Sequence, residues 1–125
     1  MTVLLIGLLS CQNQKPAENG SFTTASYNLR YANAEDSAAG NGWGKRYPVM
    51  AKLIQYHSFD IFGTQEGYIR QLEDMKAALP GYEYIGVGRN DGKEAGEHSA
   101  IFYRTDKFDL IKNCLLYTSP SPRDR

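Results

Sequence analysis

The chain has 125 residues, enough for one domain at most. Lys and Arg number 14 and Asp and Glu number 14, so the formal net charge is zero and no bulk positive field draws the protein to nucleic acid or anionic lipid. A phosphate-bearing ligand remains compatible with that balance, because a bound metal ion supplies the local positive charge that the chain as a whole lacks.

The chain opens on a compact apolar run, Val3-Leu4-Leu5-Ile6-Gly7-Leu8-Leu9-Ser10, followed by Cys11. The run falls short of the ~20 apolar residues of a membrane-spanning helix and matches the apolar region of a secretory signal. Leu8-Leu9-Ser10-Cys11 resembles a bacterial lipobox, which makes Cys11 the expected lipidation site. No Lys or Arg precedes the run, which departs from the usual signal pattern. Gln12 to Gly20 is polar and reads as a tether, so residues 1–20 are assigned to a lipoprotein-type signal and tether. The expected location is the bacterial cell envelope, lipid-anchored on the periplasmic or outer-membrane surface.

Ser21 to Asn28 carries Phe, Thr and Tyr in loose alternation and predicts a first strand. Ala32 to Gly44 is rich in Asn, Asp, Ala and Gly and predicts a long loop, with Trp43 packing it onto the body. Tyr47 to His57 predicts a helix with Pro48 in its first turn and Val49, Met50, Leu53, Ile54 and His57 on one stripe. Asp60 to Gln65 predicts a second strand, closed by Glu66. Gly67 to Leu79 predicts a second helix burying Ile69, Leu72, Met75 and Leu79, with Glu73, Asp74 and Lys76 solvated. Pro80-Gly81 stops it. Tyr82 to Val87 predicts a third strand, Gly88 to Glu97 a polar loop, and Ser99 to Arg104 a fourth strand. Thr105-Asp106-Lys107 then predicts a turn into a fifth strand, Phe108 to Ile111. The glycines of the polar loop are not a nucleotide fingerprint, because no helix follows them.

The residues at the ends of the first two strands carry the function. A strand, a helical crossover and a second strand bring Asn28 and Glu66 side by side at one edge of a sheet. The chain at this point resembles the endonuclease/exonuclease/phosphatase family, of DNase I-like fold, over Phe22 to Ile111. Ser26-Tyr27-Asn28-Leu29-Arg30-Tyr31 is similar to the family's first strand motif, and Asp60-Ile61-Phe62-Gly63-Thr64-Gln65-Glu66 to its second. Gly86 to Lys93, with Gly96-Glu97 and Ile101-Phe102-Tyr103-Arg104, resembles a subgroup found in secreted bacterial lipoproteins.

The resemblance implies an α/β (α+β) fold: the N-terminal portion, residues 21–113, of a four-layer αββα sandwich. It also implies catalytic roles for Asn28 and Glu66. Glu66 would be the metal-ligating carboxylate, with Asn28 positioning metal-bound groups, and the cofactor would be Mg²⁺ or Mn²⁺. A hard cation of this kind takes oxygen ligands and needs only one or two protein carboxylates. Arg30, Arg89 and His98 are weaker candidates for substrate contact, with His98 at the mouth of the site. The family's downstream Asp-x-Asn, second Asp and Asp-His motifs do not occur here.

The expected activity is therefore that of a metal-dependent phosphoester hydrolase acting as phosphatase, phosphodiesterase or nuclease, with this chain alone inactive. The partners expected are a phosphoester substrate and, through Cys11, a membrane; no protein partner is expected. The rival class is a non-catalytic surface carbohydrate-binding module using Trp43 and the tyrosines. Cys114 to Asp124 resembles one reading frame of a sequencing adapter, so residues 114–125 are expected to be a non-native or disordered tail. Its two Ser-Pro pairs cannot continue a strand.

Overall fold

The computed structural model describes residues 20–114. The expected signal, the expected lipidation site Cys11 and all of the tail after Cys114 lie outside the described residues. Within them the order is β1 (Thr24–Asn28), α1 (Ala34–Ala38), α2 (Trp43–His57), β2 (Ile61–Gly67), α3 (Ile69–Ala78), β3 (Tyr82–Ile85) and β4 (His98–Arg104). The described strands form one sheet in the order β1-β2-β4-β3. β1 runs parallel to β2 with Asn28 opposite Gln65, and β4 is antiparallel to both β2 and β3.

Alternation in the strands decides which face is buried. Phe62 and Thr64 of β2 and Ala100 and Phe102 of β4 are buried, with Phe62 stacked on Phe102 at 5.0 Å between ring centroids. Leu72, Met75 and Leu79 of the α3 region and Met50, Ala51 and Ile54 of α2 complete that core. The expected α3 stripe is thus largely correct. Gln71 joins it as a buried polar residue, 1% exposed, that an apolar periodicity does not reveal.

Four expectations are corrected. The loop before Gly44 contains α1, capped by Asn33, whose side chain accepts a hydrogen bond from Asp36 N at 2.7 Å, with Glu35 and Asp36 in the acidic first turn. α2 begins at Trp43, so Pro48 stands inside the helix. There its missing N–H removes a helical hydrogen bond to the carbonyl of Gly44, four residues earlier. Val49 and Leu53 are 67% and 40% exposed, because α2 turns Trp43, Met50, Ala51 and Ile54 to the core.

The fourth correction concerns Phe108 to Ile111, which is no strand. β4 already has β2 on one side and β3 on the other, so no free edge is left for a hairpin partner. Instead Phe108 meets Phe22 edge-on at 5.7 Å, and Lys107 Nζ reaches Asp60 Oδ1 at 2.8 Å.

Asp60 anchors the end of the sheet remote from Glu66. It is 3% exposed, accepts from Thr23 N at 2.9 Å, and faces Lys107 and Arg104. Those contacts, Lys107 first and the Thr23 N–H next, hold its carboxyl below the usual carboxylate range. A lowered folded pKa adds stability above the unfolded value of about 3.9, and that stability is lost as pH falls through the folded value. Asp60→Asn should therefore cost about 1–3 kcal/mol at neutral pH. Its deficit against wild type should shrink progressively as pH falls below about 4 toward the lowered folded value. Paired urea titrations across pH check this, and a deficit independent of pH would refute it.

Candidate active site

Asn28 and Glu66 meet as the motifs implied. Asn28 Nδ2 donates to Glu66 Oε1 at 2.8 Å. The two residues end neighbouring parallel strands, and Leu29 N still donates to Gln65 O at 3.0 Å just beyond the ladder. Asn28 Oδ1 accepts from Arg30 N at 2.7 Å. That contact fixes the amide with its donor end toward Glu66, because only an oxygen can accept from a backbone N–H.

Both strand exits bend through the left-handed region, with φ +52° at Arg30 and +61° at Glu66. This conformation is unfavourable for a residue with a Cβ. The β2–β4 register shifts between Thr64 and Gly67, a bulge that re-aims the Glu66 side chain. Left-handed backbone held at a bulge beside a carboxylate is an arrangement common at functional sites.

A set of buried and half-buried polar contacts holds these exits. Arg46 donates to Leu29 O at 2.8 Å and Arg30 O at 3.0 Å. Gln71 Nε2 donates to Arg30 O at 3.1 Å, while its Oε1 accepts from Ala32 N at 3.0 Å and Tyr68 N at 3.3 Å. Gln71 thus ties the chain leaving β1 to the chain leaving β2. Sequence reasoning missed both residues. Their only signal was a polar side chain at an otherwise apolar helical position.

The weaker candidates separate. Arg30 pairs with Asp36 through Nε at 2.6 Å and Nη2 at 2.8 Å. The guanidinium holds the Asp36 carboxyl down to about 2. Arg89 is exposed and pairs with Glu97 at 2.9 Å. His98 is 1% exposed, with Nδ1 3.0 Å from Gly96 O. It shares the buried face of β4 with Ala100 and Phe102, so it does not line a site mouth. His57 is the last residue of α2 and stacks on Phe59 at 5.5 Å. Trp43 is 9% exposed and donates to Asp74 Oδ2 at 2.8 Å, so it packs the start of α2 onto α3, where a loop residue packed on the body was expected, and little ring surface is left for stacking a ligand. Asp74 is thereby engaged where a solvated side chain was expected, while Lys76 pairs with Glu83 at 2.9 Å and stays solvated.

Among the described residues, no group of three or more His, Cys, Asp and Glu side chains converges as a metal cage. Among the described residues, Glu66 is the carboxylate that meets Asn28 at the paired strand ends. A single carboxylate suits a hard cation that completes its shell with water and substrate oxygens.

No family model matches the sequence, and no curated protein matches it. Solved structures do. The mannosyl-6-phosphatase of Bacteroides thetaiotaomicron VPI-5482 is 72% identical with a TM-score of 0.73, over 74% of this chain and 34% of that one. An endonuclease/exonuclease/phosphatase family protein from Bacteroides thetaiotaomicron is 71% identical with a TM-score of 0.72, over 73% of this chain and 32% of that one. Another, from Bacteroides vulgatus, is 43% identical with a TM-score of 0.69, over 73% and 34%. The chain is a partial member of the endonuclease/exonuclease/phosphatase family. It spans about a third of the length of the structures it matches. Its helix-backed mixed sheet accordingly matches part of the DNase I-like αββα fold.

Proposed function

We propose that the intact protein carrying this segment is a divalent-metal-dependent phosphomonoesterase acting on a sugar phosphate. The observation that carries the hydrolase reading is the 2.8 Å contact of Asn28 with Glu66 at adjacent strand ends. The sugar phosphate is favoured by the 72% identity to a structure described as a mannosyl-6-phosphatase. Glu66 would hold the Mg²⁺ or Mn²⁺ ion, with Asn28 orienting its carboxylate. When bound, the metal supplies Lewis-acid polarisation of the phosphoryl group and stabilises charge in an in-line displacement.

The chain's own residues do the positioning. Arg30 N–H fixes the Asn28 amide, the amide occupies one oxygen of Glu66, and the other oxygen is left for ligation. The acceptor for the proton of the attacking water is not among the described candidates. His98 is buried, and His57 stands before β2, at the opposite end of the strand from Glu66. The isolated chain is therefore proposed to be inactive, and the reaction belongs to the intact protein. A lipidated Cys11 would hold that protein at the cell envelope.

The test is release of inorganic phosphate from mannose 6-phosphate by the intact protein. Chelation with EDTA should abolish it and Mg²⁺ or Mn²⁺ should restore it. Phosphate release undiminished by EDTA would remove the metal from the reading. Metal-independent binding of mannose without hydrolysis would instead favour a carbohydrate-binding module.

A further inference from the structure

The segment between β3 and β4 is a built loop. Gly88 N donates to Lys93 O at 2.8 Å, Gly92 N to Gly88 O at 2.9 Å, Asn90 N to Ala95 O at 3.0 Å and Arg89 N to Glu97 O at 3.0 Å. Asp91 Oδ1 accepts from Lys93 N at 2.8 Å and Ala95 N at 3.0 Å. A Cβ on Gly88 would lie 2.2 Å from Ala95 O, so only glycine permits the two limbs to close this far. Side chains carried on such a loop are held in place before any ligand arrives, which lowers the cost of binding.

This loop and Tyr68 border an open hollow of about 300 Å³, lined by Tyr68, Arg89, Asn90, Gly96 and Glu97. Its position relative to Glu66 follows from the sheet. Tyr68 is two residues beyond Glu66, Gly67 is in register with His98, and Gly96 and Glu97 directly precede His98. β1, carrying Asn28, flanks β2 on one side, and β4 flanks it on the other. Glu66 therefore stands between Asn28 and the hollow.

The lining selects a ligand class. Arg89 only donates hydrogen bonds, the Glu97 carboxylate only accepts them, and Asn90 does both. The first two are already side by side at 2.9 Å. A hydroxyl both donates and accepts, so vicinal hydroxyls match an adjacent donor and acceptor. A second anion would meet the Glu97 carboxylate, and an apolar group would bury an ion pair without replacing its hydration. Tyr68, 39% exposed, offers a ring against which the C–H face of a sugar can lie. The volume is at the small end of ligand sites and fits one monosaccharide ring.

We infer that this hollow is the subsite for a neutral polyol, the sugar ring of the phosphomonoester, with Arg89 and Glu97 as its hydroxyl-binding pair and Tyr68 as its wall. The inference rests on the phosphomonoesterase reading and adds which residues choose the sugar.

The experiment measures kcat/KM of the intact protein for mannose 6-phosphate and for para-nitrophenyl phosphate, which carries the same phosphate without hydroxyls. The ratio of the two should fall roughly 10- to 100-fold in Arg89→Ala and in Glu97→Gln. Arg89→Lys, which keeps charge but loses the fork, should fall in between. Titration of free mannose, followed by tyrosine fluorescence, should saturate in wild type and weaken by a similar factor in the variants. An unchanged ratio overturns the subsite, and so do equal losses on both substrates, which would mean loop collapse or phosphate contact. If wild type releases phosphate from neither substrate, the hydrolase reading falls and the subsite with it. If it hydrolyses only para-nitrophenyl phosphate, the hydrolase survives and the sugar subsite does not.

Discussion

Glu66→Gln in the intact protein should lower phosphate release roughly 10²- to 10⁴-fold, the loss of a few kcal/mol of metal-mediated stabilisation. The substitution keeps shape and keeps an oxygen for Asn28, so the fold is expected to persist. It removes the negative charge that a hard cation requires. Mg²⁺ at millimolar concentration should raise the melting temperature of wild type and not of the variant, since a ligand stabilises only a state that binds it. A second pair of variants separates backbone from chemistry. Glu66 sits at φ +61°, so Glu66→Gly should be about 1 kcal/mol more stable than Glu66→Ala although neither carries a carboxylate. If Glu66→Gln retains more than a tenth of wild-type activity, Glu66 is not the ligand, and the Asn28 contact is only a strand-end hydrogen bond.

The pairing of Asn28 with Glu66 was legible because it needs so little of the fold. A parallel β-α-β unit places equivalent strand ends together whatever packs around it, and two short motifs supplied the residue types. The α3 core face was legible for a similar reason: Leu72, Met75 and Leu79 repeat at helical spacing on a helix with one buried side. The α2 face was legible only in part: Met50 and Ile54 are buried as expected. Val49 and Leu53 are apolar at helical spacing, yet the helix docks through Trp43, Met50, Ala51 and Ile54, a choice made by the sheet beneath it rather than by its own periodicity. The fifth strand failed because strand propensity says nothing about whether an edge is free. Phe108 to Ile111 has β-forming residues and no vacant neighbour beside β4. His98 carried a signal that was overlooked: alternation places it on the same face as the buried Ala100 and Phe102.

Gln71 is the residue whose role only the structure reveals, and Gln71→Leu should lower stability by about 2–3 kcal/mol while lowering kcat roughly tenfold or more. Leucine has a similar volume, so no large cavity forms. It leaves Ala32 N and Tyr68 N without the oxygen that now receives both, at 3.0 Å and 3.3 Å. Arg30 O keeps Arg46 as a donor at 3.0 Å, which limits the cost. The activity loss follows from where those groups lie. Tyr68 N is two residues past Glu66, and Ala32 N is four past Asn28, so relaxing them frees both strand exits to shift. A misplacement of about 1 Å at a reacting group can cost about a hundredfold in rate. Met75→Ala, buried on the same helix about one turn away, provides the control. It should cost about 2–5 kcal/mol of stability and leave kcat nearly unchanged when both variants are assayed well below their melting temperatures. Wild-type kcat in folded Gln71→Leu would show that the exits hold their shape without this amide, and that Arg46 and the Asn28–Arg30 contact suffice to place the pair.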